Sequence, residues 1–290
     1  GEVYSNYSLL KFTPAIAFEA TPQLWIGVAA NVDWASLAVQ PMTVAAPDFH
    51  PGTTSRYYAD ASATDGAFGF GFHGGVLFQV NDMIALGASY SSEQFFQEFE
   101  WNSTVANPNL PEFGTPKTIT FKLNVPAMAA GGIAIQALPN LTLAGDFRYL
   151  FYESTDGFSL ADPQIPFNAD GSVDGFGWED IYSIHAGFEF WPTEQVALRG
   201  GYNYTQNPVP DGLAMINIPA PAIVQHHATV GIGYTVSRRF QISAGYYRAF
   251  ENSGTGPLLN PAVPAGSTVT NTMQEDSFSM QFSFATRGGM

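Results

Sequence analysis

Ser277-Phe278-Ser279-Met280-Gln281-Phe282-Ser283-Phe284 alternates without a break. Phe278, Met280, Phe282 and Phe284 fall on one side, and Ser277, Ser279, Gln281 and Ser283 on the other. Successive side chains of a strand point to opposite faces, so the segment reads as a strand with one apolar and one small polar face. Val196–Tyr204 repeats the pattern, with Val196, Leu198, Tyr202 and Tyr204 against Ala197, Arg199, Gly201 and Asn203. In Ala228–Val236 the large residues are Val230, Ile232, Tyr234 and Val236, and Thr229, Gly231, Gly233 and Thr235 face the other way.

Working outward, eleven such segments are found: Leu9–Ala20, Leu24–Ala35, Ala67–Gln79, Met83–Glu100, Thr118–Gln136, Leu141–Tyr152, Ile181–Phe190, Val196–Tyr204, His227–Val236, Phe240–Phe250 and Asp276–Phe284. Short turns follow every other segment, at 21–23, 80–82, 137–140, 191–195 and 237–239. Between them lie long stretches at 36–66, 101–117, 153–180, 205–226 and 251–275. Short turns at one end and long loops at the other describe an outer-membrane barrel. A soluble sandwich also turns often, but it has no need to place every long loop at one end, and its solvent face carries Lys, Glu and Arg. Here that face is Gly, Ser, Thr, Asn and Gln. The expected fold is all-β, a transmembrane antiparallel β-barrel.

Composition agrees. Only 12% of the 290 residues are charged and 14% are aromatic, with 29 glycines. Disordered chains lack such apolar and aromatic content. Val125–Ile135, the longest nearly apolar run, has 11 residues and contains Pro126, Gly131 and Gly132. A spanning helix needs about 20. Ten basic against 25 acidic residues give a net charge of −15, which argues against nucleic acid as a partner. Absence of cysteine excludes disulfides, thiolate metal sites and cysteine nucleophiles. Rings gather at both ends of the segments. Trp25, Phe78, Phe188, Phe190, Trp191 and Phe240 lie by the short turns. Tyr90, Tyr149, Phe151, Tyr202, Tyr204, Tyr246 and Phe250 lie by the long loops. Two such bands are the girdles expected at the two membrane interfaces.

The first segment ends at a short turn, so it starts at the outer surface. Eleven strands begun there do not make the even-numbered closed barrel of bacterial outer membranes. The reading is an N-terminally truncated chain.

Arg199-Gly-Gly-Tyr-Asn-Tyr-Thr-Gln-Asn-Pro-Val-Pro210, then Ile216-Asn-Ile-Pro219, His227–Tyr234 and Gln241–Tyr246, resembles the C-terminal part of the FadL family of outer-membrane transporters for long-chain fatty acids and other hydrophobic compounds. Phe68–Phe78 with Ile84–Tyr90, and Phe121–Pro126 before a glycine-rich strand, are similar to further blocks of the family. The resemblance covers essentially the whole chain. It implies a barrel of fourteen strands behind an N-terminal hatch, so residues 1–290 supply eleven of the fourteen and lack the hatch. Such barrels end on an aromatic, matched by Phe284, which leaves 285–290 as a short tail.

Two sets of residues are candidate sites. The inward face collects Glu19, Asp146, Arg148, His185, Glu189 and Arg199, a lumen charge network suited to anchoring a plug by ion pairs or to satisfying itself. The loops carry apolar residues: Met42, Val44, Phe49, Tyr57 and Tyr58 in one, Val105, Leu110 and Phe113 in another. Exposed apolar patches mark binding sites. In the family these two loops form the outer groove where substrate lands, which assigns Phe49, Tyr57, Tyr58, Leu110 and Phe113 to substrate binding; packing of the loops on each other is the alternative. No serine sits in a nucleophile motif, and His50, His73, His185, His226 and His227 are scattered, so no enzyme and no catalytic residue is expected. No cofactor and no metal centre is expected. Asp170-Gly-Ser-Val-Asp174 hints at a calcium loop without its full spacing. Six carboxylates, Glu19, Asp33, Asp82, Asp146, Glu189 and Glu194, lie away from the long loops and the N-terminus, leaving the other 19 of 25 at an acidic rim. That rim would face lipopolysaccharide; the expectation is a set of solvated acidic loops, with divalent cations bridging them to the lipid as the alternative. The expected protein is a monomeric, passive uptake channel of the bacterial outer membrane, in contact with outer-membrane lipid and a hydrophobic small molecule. A structural or adhesive barrel binding a partner through its loops is the alternative.

Overall fold

The structure, a computed structural model, describes residues 3–49, 55–62, 66–160, 167–259 and 264–284. The 285–290 tail and His50 lie outside them. Strands β1 (Tyr4–Phe12) and β2 (Ala15–Thr21) both pair with β3 (Leu24–Gln40) in one continuous register, interrupted at Thr13-Pro14. Proline has no N–H to give the ladder, so the break falls there. After the short ribbon β4 (Asp48–Phe49) and β5 (Arg56–Tyr57), the wall continues with β6 (Ala67–Asn81) and β7 (Ile84–Ser91). Next come β8 (Phe95–Phe96), the hairpin of β9 (Phe99–Thr104) and β10 (Pro116–Phe121), and β11 (Ala127–Leu138). The rest of the wall is β12 (Leu141–Phe151), β13 (Ile181–Phe190), β14 (Val196–Thr205), β15 (His226–Ser237), β16 (Phe240–Pro257) and β17 (Thr268–Phe284). Neighbouring staves are antiparallel, in the order β1-β3-β6-β7-β11-β12-β13-β14-β15-β16-β17. That path has eleven strands, one for each segment read from the alternation.

The alternation decides the faces. On β6, Phe68, Phe70 and Phe72 are 61%, 67% and 57% exposed, while Gly69 and Gly71 between them turn inward beneath Phe96 and Gln94. On β17, Phe278, Met280, Phe282 and Phe284 stand on the outer wall and Gln281 faces in, opposite Ser243. Large apolar side chains left in the open over a whole sheet face belong to a wall solvated by lipid.

Three expectations need correction. Met83–Glu100 and Thr118–Gln136 are each interrupted. Asn124 accepts from the Phe96 N–H at 2.9 Å, and Gln94 and Val125 form an isolated bridge, so side chains replace the ladder there. Within 251–275, expected as a loop, β16 runs on to Pro257 and β17 starts at Thr268; hydroxyl pairs Ser253–Thr272 (2.9 Å) and Thr255–Thr270 (2.7 Å) stitch the two. Trp25 is opposite Glu19 on the inner face and lines a lumenal cavity, so it is not a girdle residue.

Candidate functional site

The oil-like interior of the molecule lies among the loops. The outer end of β3 contributes Ala35, Leu37 and Val39, and the β9–β10 hairpin folds over them with Phe99, Trp101 and Ile119. Trp101, Phe96, Phe99 and Met42 are all under 2% exposed or at that limit, and Trp101 Nε1 donates to the Leu37 carbonyl at 2.9 Å. Gly69 is required here, because a Cβ would meet the Phe96 ring at 2.8 Å. Asp48 pins the cap. Its carboxylate pairs with Lys117 at 2.7 Å and accepts from the Ala106 N–H at 2.5 Å, while Asn107 Nδ2 donates to its carbonyl.

Beside the cap, Tyr152, Phe158 and Trp178 pack ring on ring at 4.8–5.0 Å. Burial pushes Tyr152 up to about 12 from an ordinary 10.0. The buried site favours the neutral phenol, so its contribution to stability is whole below pH 10.0 and is lost as pH rises through about 12. We expect tyrosinate absorbance and protease access to the 152–178 loop to rise together across that window. Ionisation with the loop still closed would show that the phenol is not held by the cap.

Between Pro41, Thr43 and the 55–58 stretch on one side and the 215–219 segment on the other lies a cavity of about 490 Å³. One wall carries polar groups. Arg56 lies with Cζ 5.6 Å from the centre of the Phe167 ring, and the Tyr58 hydroxyl donates to the Gly171 carbonyl at 2.8 Å. The other wall is apolar: Met215, Ile216, Pro219 and Leu259. Asn217, wholly buried, holds that segment by accepting from Trp178 Nε1 at 2.7 Å and donating to the Phe176 carbonyl at 2.8 Å. A mostly apolar hollow with one guanidinium suits a ligand with an apolar body and an anionic group.

The structure places the predicted loop residues in two positions, the cavity wall and the adjoining ribbon and turns. Tyr58 lines the cavity. Phe49, 52% exposed, and half-buried Tyr57 sit on the β4–β5 ribbon. Leu110 and Phe113, the latter 56% exposed, sit on the 107–113 turns. The Asp48 contacts to Ala106 and Asn107 bring ribbon and turns side by side. Met42 and Val44 join the cap core instead. Arg56, Phe167 and Met215 were not singled out from the sequence. Arg56 carried the one usable signal, as a rare cation set in an aromatic loop.

On the inner wall, Glu189 and Arg199 face each other across their hairpin and pair at 2.7 Å, with Trp191 Nε1 on the same carboxylate at 2.8 Å. Asp146, His185, Asn203 and His227 stand opposite one another in turn across β12 to β15. Arg148 is opposite Ser183, and Glu19 lies apart on β2. His226 points outward against Tyr202 and Tyr204, and His227 inward, on opposite faces of β15. Among the described residues, no group of three or more His, Asp or Glu is placed to hold a metal ion. The Asp170 carboxylate is taken by Ser172, from its N–H at 2.9 Å and hydroxyl at 2.7 Å, and these bonds hold it below the usual carboxylate range.

The family described as outer membrane protein transport protein (OMPP1/FadL/TodX) matches residues 3–284. Among solved structures, the chain is similar to the Pseudomonas putida toluene transporter TodX, with 15% identity and a TM-score of 0.64 over 97% of this chain and 70% of that one. A Pseudomonas aeruginosa FadL homologue gives 14% and 0.67 over 97% and 68%. The Ralstonia pickettii toluene transporter TbuX gives 15% and 0.64 over 97% and 68%. At these identities the likeness is one of fold. No curated protein matches the chain.

Proposed function

Because this chain belongs to the OMPP1/FadL/TodX family of outer-membrane transport proteins, we propose that it is a passive uptake channel whose substrate is a long-chain fatty acid. It is an outer-membrane β-barrel protein of a family of transport channels for hydrophobic compounds, not of enzymes. The observation that carries the finer reading is the loop cavity with Arg56 in its polar wall. The neighbours named as toluene transporters serve a neutral molecule. A neutral arene offers a guanidinium only the face of its ring, whereas a carboxylate takes paired, charge-assisted hydrogen bonds from it. Capture begins on the exposed rings Phe49 and Phe113, with Tyr57, Tyr58 and Leu110 behind them. Each Å² of apolar surface covered contributes about 25 cal/mol. The substrate then moves down its own affinity gradient, with no covalent step. The same exposed rings suit the alternative, a barrel that binds a partner through its loops.

The test is uptake of labelled oleate and toluene by cells expressing the full-length gene. Oleate uptake without toluene uptake is the expected result; toluene alone would assign the channel to the other substrate class, and neither would favour the adhesive reading. Arg56→Gln should lower oleate uptake at limiting concentration by roughly ten-fold or more, since a hydrogen bond to a charged group contributes about 1.5–3 kcal/mol. Methyl oleate should be unaffected. Equal losses for acid and ester would remove Arg56 from substrate recognition.

A further inference from the structure

We infer that the Arg238–Arg239 turn, with the aromatic face above it, docks an anionic phospholipid of the periplasmic leaflet. The turn joins β15 and β16 at the end where the short turns lie, which is the periplasmic end. The other short turns at that end carry no cation; those at 80–82 and 191–195 carry Asp82 and Glu194. Both arginines are exposed, and among the described residues neither forms an ion pair. In a chain with 10 basic and 25 acidic residues, two adjacent unpaired cations at a membrane boundary are conspicuous.

The wall just above them is apolar and outward. Phe240 stacks on Phe284 at 4.7 Å and on Phe282 at 6.4 Å. Phe282 and Phe284 are 56% and 75% exposed, and Val236 on the neighbouring strand is 49% exposed. Guanidinium forks match phosphate oxygens, and the rings below the headgroup offer a surface to acyl chains. The pair carries two positive charges against the one acid of the adjoining turn, Glu194, with which it forms no ion pair, so a headgroup with net negative charge fits better than a zwitterion. The periplasmic leaflet supplies such a lipid in phosphatidylglycerol.

The experiment uses the full chain, purified from outer membranes in mild detergent and titrated by native mass spectrometry with phosphatidylglycerol, phosphatidylethanolamine or glycerol 3-phosphate. Two near-surface arginines should favour phosphatidylglycerol over phosphatidylethanolamine by roughly thirty-fold. Arg238→Gln with Arg239→Gln should bring that ratio close to one, and Arg238→Lys with Arg239→Lys should keep most of it. Glycerol 3-phosphate should not compete. An unchanged ratio in the glutamine variant overturns the proposal, and so does equal competition by glycerol 3-phosphate, which would mean a soluble phosphate site. If the glutamine variant does not assemble, the wild-type ratio decides: it must shrink as ionic strength rises from about 0.05 to 0.5 M. A salt-independent ratio overturns the inference equally.

Discussion

Trp101→Ala opens the mouth and leaves the wall standing. Truncating a buried tryptophan costs about 3–5 kcal/mol. The lost bond from Nε1 to the Leu37 carbonyl adds about 1 kcal/mol. The loss falls on the cap, because Trp101 packs with Phe99, Met42 and the end of β3 rather than with the lower staves. The staves keep their backbone ladders whatever happens above them. The expected result is rapid proteolysis within 92–126 on intact cells, with the barrel still migrating as a heat-modifiable species. Hydrogen exchange should show fast amides in β9 and β10 and slow ones in β13 to β16. Equal loss of protection in both regions would mean that cap and wall unfold as one unit.

Ile232→Arg should block membrane assembly where Gln281→Arg does not. Ile232 is 51% exposed on the outer face of β15, between Leu198 and Ala244 in the ladder. Gln281 faces the lumen opposite Ser243. A lipid-facing arginine near the midplane costs about 2–4 kcal/mol, and a lumenal one meets water. The fraction of each variant recovered folded in outer membranes measures the difference. Equal recovery would place the register one residue off, which inverts every face assigned above.

Both effects rest on features of unequal legibility in the sequence. The staves were readable because lipid on one side and a polar lumen on the other impose a strict period of two, as in Ser277–Phe284. Where that contrast weakens, the reading fails. Ser92, Gln94 and Asn124 keep a strand-like pattern but sink beneath the cap, where their side chains bond to backbone and end the ladder. In Thr268–Thr272 the three threonines share one face and Val269 and Asn271 the other, so the contrast of large apolar against small polar is missing and the stretch reads as loop, although its hydroxyls pair across the hairpin. The loops posed the harder problem. Met42, Phe49, Trp101 and Phe113 are equally apolar on paper. Which are buried depends on contacts between segments some sixty residues apart, such as Trp101 with Leu37. The lumenal charges were legible as a face, because they fall on the small polar side of their strands. Arg56 beside Phe167 and Met215 was not, since the cavity is assembled from four separate loops.

The placement of the apolar core has a calorimetric consequence. Exposing apolar surface to water on unfolding is what gives a soluble domain a heat-capacity increment of about 12–15 cal/mol/K per residue. In this molecule the outer wall, from Leu10 to Phe284, rests against hydrocarbon and exchanges none of it with water while the membrane or micelle remains. The increment must then come from the cap cluster around Met42, Phe99 and Trp101. Stability of the wall should therefore run nearly straight with temperature, and only the mouth should weaken on cooling.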